Sequence, residues 1–412
     1  RLGSTGLRVV EAIERGDEVD VPALTDRLDD AGAIHPMPTA TSPNGRVTMV
    51  VPAHGEHPSR LHRLRAVAER DGIGIVIVDD ASPRPITGAE VRLDHNAGPG
   101  PARNAGLDEV DTELVAFVDA DVELPPGWLD PLVGHFDGPT GDRTALVAPR
   151  VRSRLGVSRI SRYEAEHSPL DMGLEPARVR AGTRVSYVPA AAIVCRVEAV
   201  RAVGGFDPLL RFGEDVDLVW RLDAAGWRCR YEPSVEVVHE PRTTWWAWIR
   251  QRIGYGSSAA PLARRHPGAL APVRMHGWSL ASWTLAATGQ PLPAVATAVG
   301  SAAALPPLLP GVPHDAAFGL ALRGNLLAGR TLVDAVRRVW WPLLLVASVR
   351  SRTARRVLVA SMLAGRDPRR AARPGPALRP GRLPPGPPRA GGRDRRAPGG
   401  AGACRARGSR CK

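Results

Sequence analysis

Short apolar runs alternate with helical stretches between residues 47 and 148, and this alternation limits the possible folds more than any other feature of the chain. The runs have the length of strands and are rich in valine and isoleucine, which suit buried strands. Strands separated by helices favour an α/β fold with a mostly parallel sheet and helices on both faces. The apolar runs occupy residues 47–51, 73–78, 114–118 and 145–148.

Polar residues follow the first three runs directly. Residues 52–56 follow the first run, Asp79 and Asp80 follow the second, and an Asp-Ala-Asp sequence at 119–121 follows the third. Ligands of such sheets bind at the carboxyl ends of the strands. The sequence therefore predicts one polar site where these three strands end.

The Asp-Ala-Asp sequence has the chemistry of a cation site. Because side chains alternate along an extended chain, Asp119 and Asp121 point to the same face, where Mg²⁺ or Mn²⁺ would join protein oxygens to a substrate diphosphate. His239 follows another short apolar run, and its neutral imidazole would complete the coordination. The alternatives are a turn or helix cap for the carboxylates and a structural role for the histidine.

A second pair of carboxylates stands at the start of a predicted helix. Glu214 and Asp215 precede a segment with helical spacing. Helix capping is one interpretation of their position. In the catalytic interpretation, one carboxylate acts as a general base on an acceptor hydroxyl and the other orients it.

A glycine-rich segment at 96–106 contains Arg103 and Asn104 and continues into a predicted helix. Its glycines permit close backbone approach to a ligand. The segment lacks the third glycine of a dinucleotide fingerprint and follows the second strand, which disfavours a nicotinamide enzyme.

Together these elements resemble family 2 glycosyltransferases with the GT-A fold, from about Val47 to Tyr255. The resemblance rests on their order and spacing and includes Gly204-Gly205-Phe206-Asp207. It implies metal-dependent, inverting transfer of a sugar from a nucleotide diphosphate, with UDP-glucose as the donor and a β-glycoside as the product.

The same resemblance implies roles for individual residues. Asp215 would be the base with Glu214 beside it, and Asp119, Asp121 and His239 would hold the metal. Contacts to the donor nucleotide are expected from Pro52, Ala53, Glu56, Asp79, Asp80, Gly98, Arg103, Asn104 and Asp119. Contacts to the acceptor are expected from Gly205, Phe206, Asp207 and Trp245.

A narrower resemblance covers more of the chain and links it to glycosyltransferases of mycofactocin biosynthesis. It implies that the acceptor is a precursor of a redox cofactor made from a peptide. One alternative is a membrane-associated family 2 enzyme that acts on a cell-wall polysaccharide or a lipid-linked sugar. Another is a non-catalytic scaffold that binds a nucleotide sugar or a peptide.

Four segments are predicted along the chain, and the last of them is an Arg/Pro/Gly-rich tail at residues 366–412. Residues 1–37 are predicted to form a small unit, either a helical hairpin packed on the next domain or a winged-helix-like unit that recognises a peptide, and residues 46–260 are predicted to form the transferase domain. Residues 261–365 form an apolar helical region: positions 275–314 contain no Asp, Glu, Lys or Arg, but several prolines interrupt them. A membrane-associated segment and a buried helical hairpin both fit this pattern.

Charge and cysteine content narrow the expected partners and location. The net charge of the chain is +13, and nearly all of it lies in residues 366–412. This segment contains thirteen arginines and one lysine but only two aspartates. The rest of the chain is close to neutral, so no specific nucleic-acid binding is expected. The tail is predicted to be disordered.

The four cysteines have no disulfide or metal-type spacing. This favours a protein located in the cytoplasm, or at the cytoplasmic face of the inner membrane.

Overall fold

The computed structural model describes residues 4–15, 17, 21–37, 39–55, 58–138, 141–309, 312–364 and 382–383. The predicted tail lies outside this range except for Arg382–Leu383, a short strand that pairs with His35–Pro36. Near the N-terminus, the small unit predicted at residues 1–37 contains two helices, α1 (Ser4–Arg15) and α2 (Pro22–Asp30). Their apolar faces meet around Val9, Ile13 and Ile34, which are buried.

A buried ion-pair cluster joins this N-terminal unit to the rest of the protein. The Oδ1 atom of Asp29 accepts a hydrogen bond of 2.9 Å from the guanidinium of Arg230. The Oδ2 atom of Asp29 lies 3.5 Å from the guanidinium of Arg228. All three side chains are almost fully buried. Buried charges are tolerated when they are paired in this way. The division into domains stays a prediction.

Nine of the described strands form one sheet, in the order β4-β3-β2-β5-β9-β7-β10-β6, with β8 paired to β10. The strands are β2 (Val47–Ala53), β3 (Gly74–Asp79), β4 (Val91–Arg92), β5 (Leu114–Val118), β6 (Val122–Glu123), β7 (Thr144–Ser153), β8 (Ala177–Val179), β9 (Ala192–Arg196) and β10 (Arg228–His239). The two-residue strands described above are β1 and β11.

The predicted α/β sheet is confirmed. Strands β4, β3, β2 and β5 are parallel, as the alternation with helices predicts. Beyond them the sheet is mixed, because β9 runs antiparallel to both β5 and β7. Apolar patterning reports the burial of a strand but not its direction, so the sequence does not indicate this reversal.

Helices cover both faces of the sheet. Alternate residues of β2 pack to opposite sides: Val50 belongs to one apolar cluster with Phe117, and Val51 to the other with Ile77. This is the period of two that strands impose. The helices are α3 (Pro58–Asp71), α4 (Pro99–Asp108), α5 (Leu129–Asp137), α6 (Arg159–His167), α7 (Val197–Ala202) and α8 (Glu214–Ala224).

Gly106 sets the distance between α4 and the sheet. A Cβ atom at this position would collide with Val50 and come within 3.0 Å of Val78. Only a residue without a side chain lets α4 lie this close, and α4 carries Arg103 toward the strand ends. The glycine thus serves packing of the helix on the sheet.

The C-terminal part of the described chain is helical, as predicted. Its elements are α9 (Trp245–Ser257), α10 (Ala259–Arg265), α11 (Gly277–Ala287), α12 (Pro291–Ala303), α13 (His314–Ala335), a π-helix (Val336–Trp340), α14 (Trp341–Ser348) and α15 (Arg352–Leu363). Trp283 donates a hydrogen bond of 2.7 Å to the backbone oxygen of Asn325 and packs against Gly329. In the part of the chain that the structure describes, one stretch, Pro291–Leu308, has the length and composition to cross a membrane.

Candidate active site

A cavity of about 950 Å³ opens where the strands end. Residues that follow β2, β3 and β5 line it together with the end of β10 and the start of α8. The polar site expected at the strand ends is therefore present as a single cavity. Predicted site residues on its wall are Pro52, Ala53, Asp80, Gly98, Arg103, Asp119, Asp121, Glu214, Asp215 and His239.

Arg103 joins two carboxylates that lie far apart in the sequence. Its guanidinium donates to Asp119 at 2.7 Å and to Glu214 at 2.9 Å, and it lies 5.3 Å from the ring centroid of Phe206. Burial acts to lower the pKa of Arg103, but the charges of Asp119 and Glu214 outweigh it and raise the pKa. Arg103 is thus a permanent cation that fixes α8 against the end of β5.

Asp121 and His239 form a second pair in the cavity. The His239 Nε2 and Asp121 Oδ2 atoms are 3.3 Å apart. Burial acts to raise the pKa of Asp121, but the contact with His239 and nearby arginine charges lower it, so this group is a carboxylate at neutral pH. Arg242 is one of those arginines and also lines the cavity.

These residues fit a divalent cation bound jointly with a substrate. Asp121 offers the carboxylate oxygen that Mg²⁺ and Mn²⁺ prefer, and a neutral His239 would add a nitrogen ligand. Among the described residues no group of three His, Cys, Asp or Glu side chains is arranged to hold an ion. Mg²⁺ often binds through one or two carboxylates plus substrate phosphates, so a diphosphate would supply the remaining ligands.

Glu214 and Asp215 differ in their partners although they are adjacent. Glu214 is paired with Arg103, whereas the Asp215 carboxylate accepts backbone hydrogen bonds from Val216 at 2.8 Å and Ala190 at 3.3 Å. Burial raises the pKa of Asp215. Burial and then the charge of Asp215 raise the pKa of Glu214 to about 7. Of the two carboxylates, Asp215 is the one that forms no ion pair with any residue in the described ranges.

Gly213 permits the sharp entry into α8 that presents both carboxylates. Its φ of 79° lies in the left-handed region, which glycine adopts without steric cost. A Cβ atom here would also lie 2.8 Å from the Cβ of Ser258, at the junction of α9 and α10. The first C-terminal helices therefore pack directly against the loop that leads into the two carboxylates.

The two aspartates at the end of β3 accept hydrogen bonds from protein groups. Asp80 accepts from the backbone N–H groups of Ala97 at 2.7 Å and Gly98 at 2.9 Å, so it holds the start of α4. Asp79 pairs with Arg92 and accepts N–H groups from its own loop, and it does not line the cavity. Burial alone would raise the pKa of Asp79, but these hydrogen bonds lower it. Its nucleotide contact stays a prediction.

Asn104 and the residues predicted to bind the acceptor lie away from the cavity. Asn104 donates to the backbone oxygen of Phe206 at 2.7 Å and accepts from its N–H at 2.8 Å, which locks the Gly205-Phe206 turn. The physical reason is that Phe206 is buried under Arg103 as part of the core. Asp207 pairs with Arg265, and Trp245 is 62% exposed. Glu56 lies outside the described residues.

Several cavity residues were not predicted from the sequence. The Nδ1 atom of His54 lies 2.7 Å from the backbone oxygen of Asp80, and Arg242, Tyr187, Tyr255 and Arg338 also line the wall. His54 lies within the segment 52–56 at the predicted polar site, and Arg242 lies three residues after His239, so both had a local signal. The other three belong to segments without a motif, so only the folded chain brings them to the site.

Comparison with known proteins identifies the family. Residues 48–199 match Glycosyl transferase family 2. The chain is 42% identical over 366 residues to the Pre-mycofactocin glycosyltransferase of Mycobacterium tuberculosis (strain ATCC 25618 / H37Rv), across 85% of this chain and 76% of that protein. It is 28% identical over 212 residues to the Succinoglycan biosynthesis protein ExoO of Rhizobium meliloti (strain 1021), across 48% of this chain and 61% of that protein.

One similar solved structure is that of the mannosyltransferase PcManGT from Pyrobaculum calidifontis, in complex with GDP-Man and Mn²⁺. It aligns with a TM-score of 0.42 and 20% sequence identity, and the alignment covers 87% of this chain and 98% of that chain. The predicted family and its GT-A fold are confirmed by the family match and the α/β sheet. The chain therefore belongs to the family 2 glycosyltransferases and is itself a glycosyltransferase.

Proposed function

We propose that this enzyme is a metal-dependent, inverting glycosyltransferase that transfers glucose from UDP-glucose, in β-linkage, to pre-mycofactocin. The observation that carries the mechanism is the bridge from Arg103 to Asp119 and Glu214, which holds the strand-end carboxylates and the Asp215 loop in one cavity. The acceptor is proposed from the 42% identity with a pre-mycofactocin glycosyltransferase.

Asp215 is the proposed general base. It lies on the cavity wall, its carboxylate is held by two backbone N–H groups, and burial raises its pKa. A carboxylate with a raised pKa is a stronger base while it remains ionised. It would take the proton of the acceptor hydroxyl as that oxygen bonds to the anomeric carbon. The bond from this carbon to the diphosphate oxygen breaks, and UDP leaves with the electron pair.

The diphosphate would lie beside Asp121, His239 and Arg242. A bound cation would supply Lewis-acid stabilisation of the charge on the leaving group. Arg242 has no ion-pair partner among the described residues and would donate to diphosphate oxygens. Attack from the face opposite the leaving group inverts the anomeric centre, so an α-linked donor gives a β-linked product.

The proposal is tested by following both products of the reaction. The enzyme is incubated with UDP-glucose, Mg²⁺ or Mn²⁺, and purified pre-mycofactocin, and UDP release is measured with and without the acceptor. Mass spectrometry then measures the acceptor, and proton NMR reads the anomeric coupling. We expect acceptor-dependent UDP release and an acceptor heavier by whole hexose units in β-linkage. A rate of UDP release that is the same with and without pre-mycofactocin would contradict pre-mycofactocin as the acceptor.

A second candidate function is favoured by α14. This helix is apolar on all sides and none of its described side chains is buried. Arg350 and Arg352 follow it, and such a segment is typical of a membrane interface. The enzyme would then work at the cytoplasmic face of the inner membrane on a lipid-linked sugar or a cell-wall polysaccharide. UDP binding together with transfer to a lipid extract, but not to pre-mycofactocin, would favour this candidate.

A further inference from the structure

The C-terminal helices contribute part of the active-site wall. Asp334 and Ala335 at the end of α13, and Arg338 and Val339 in the π-helix, line the same cavity as Asp215. The residues that the sequence suggested for the acceptor do not reach this wall. The cavity wall is therefore built partly from the region that sequence patterning marks only as apolar and helical.

Pro342 accounts for the change in helix geometry at this wall. Proline has no N–H to donate to the carbonyl oxygen of Arg338, four residues earlier, and its ring clashes with that carbonyl in a regular α-helix. The chain forms the wider π-helix Val336–Trp340 just before this proline. Such turns are frequent at functional sites, because they change the direction in which side chains leave the helix.

Arg338 is a cation without a protein partner at this position. It is exposed, lines the cavity, and forms no ion pair or hydrogen bond with any residue that the structure describes. By contrast, Arg103 and Arg252, which also line the cavity, are paired with carboxylates. A guanidinium with free donors is suited to oxygen atoms of a ligand, above all those of a carboxylate.

Tyr187 lines the cavity together with Arg338 and the proposed base Asp215. Burial and then the charge of Asp215 raise the pKa of Tyr187, although the charges of Arg338 and Arg252 act to lower it. The phenol is therefore neutral and able to donate at neutral pH. Its hydroxyl has no hydrogen-bond partner in the described part of the chain. Leu170, Leu270 and Val339 give the neighbouring wall an apolar character.

We propose that Arg338 and Tyr187 form an acceptor subsite that binds a carbonyl or carboxylate oxygen of an acceptor with an apolar body. The groups proposed for the donor diphosphate are Asp121, His239 and Arg242, so this subsite is separate from them. The inference deepens the proposed function and rests on it, because a base at Asp215 requires an acceptor held next to it. Arg338 and Tyr187 act by binding and orienting the acceptor.

The test compares steady-state kinetics of the full chain and its variants with UDP-glucose and pre-mycofactocin. We expect Arg338→Ala to raise the KM for the acceptor about ten- to hundredfold, and Tyr187→Phe to raise it about fivefold, in line with the loss of a charged and a neutral hydrogen bond. The dissociation constant for UDP should not change in either variant. Arg330→Ala is the matched control, because Arg330 is an exposed arginine of α13 that does not line the cavity.

Two further substitutions distinguish the kinds of acceptor oxygen. Recovery of the acceptor KM in Arg338→Lys but not in Arg338→Gln indicates a carboxylate, and recovery in both indicates a neutral carbonyl. An acceptor KM in Arg338→Ala equal to that of wild type, or a loss of UDP affinity of the same size, would overturn the subsite. A wild-type enzyme without acceptor-dependent turnover would instead overturn the proposed acceptor, and the subsite with it.

Discussion

Arg103 donates a 2.9 Å hydrogen bond to Glu214 across 111 positions of sequence, and both side chains are buried. This contact ties α4, which the glycine-rich segment opens, to α8, which carries the proposed base. Because the same guanidinium also holds Asp119, one side chain links the two carboxylate sites of the cavity.

Replacement of Arg103 should weaken folding as well as catalysis. In Arg103→Met, Asp119 and Glu214 lose their shared cation, and loss of one partner of a buried pair costs about 3–5 kcal/mol. We expect a reduction of this size in the free energy of unfolding, measured by urea titration. Arg63→Ala is the control, since Arg63 pairs with Glu123 on the surface and its loss should cost at most about 1 kcal/mol. Equal effects of the two substitutions would contradict the central position of Arg103.

Glu214 should make stability depend on pH. Its pKa is raised from the ordinary value of 4.5 to about 7, mainly by burial. Between these values the folded protein binds more protons than the unfolded chain, so the stability that Glu214 contributes is complete below pH 4.5 and is lost as the pH rises through 7.

The comparison with Glu214→Gln isolates this contribution. We expect the unfolding free energy of the wild type, relative to the variant, to fall as the pH rises from 4.5 to about 7, by about 1.4 kcal/mol for every pH unit that separates the folded and unfolded pKa values. Urea titrations at several pH values provide the measurement. A difference that stays constant, or that grows with pH, would show that folding does not raise the pKa of Glu214.

Loss of Asp121 should separate metal-dependent from metal-independent donor binding. In Asp121→Ala we expect the affinity for UDP in the presence of Mn²⁺ to fall by at least about tenfold, the scale seen when groups around a metal are removed. Calorimetry with and without Mn²⁺ measures the effect. The control is Asp142→Ala, an exposed aspartate outside the cavity. If Mn²⁺ strengthens UDP binding equally in wild type and Asp121→Ala, Asp121 is not a ligand.

Asn104 should stabilise the fold and should not contact the donor nucleotide. Asn104→Ala removes both hydrogen bonds to the Phe206 backbone, and we expect a loss of about 1–3 kcal/mol in unfolding free energy. The folded fraction should bind UDP with wild-type affinity, as measured by titration below the unfolding temperature. A stable variant with weakened UDP binding would instead support the donor contact that the sequence suggests.

The sequence predicts the parts of this protein that depend on local pattern. The three strand ends and the carboxylates at 119 and 121 could be brought to one site from strand periodicity and order, whereas Glu214, Asp215 and His239 were assigned to that site through the resemblance to family 2 glycosyltransferases. Helices in the C-terminal region were predictable for the same reason. The reversal of β9 was not, because burial patterns carry no direction.

Residues that act through distant contacts escaped prediction for a different reason. The glycine-rich segment suggested contacts with a ligand, whereas Gly106 packs α4 on the sheet and Asp80 is satisfied by the start of α4. Arg338 reaches the cavity because the end of α13 and the π-helix before Pro342 form part of its wall. No spacing rule connects such a residue to Asp215.

The most direct test of the proposed mechanism is the activity of Asp215→Asn. The variant keeps the shape of the side chain but cannot accept the acceptor proton, so we expect acceptor-dependent UDP release to fall by about 10²- to 10⁴-fold while the affinity for UDP is unchanged. Single-turnover UDP release with pre-mycofactocin, together with calorimetric UDP binding, provides both values. Turnover at the wild-type rate would contradict the assignment of Asp215 as the base.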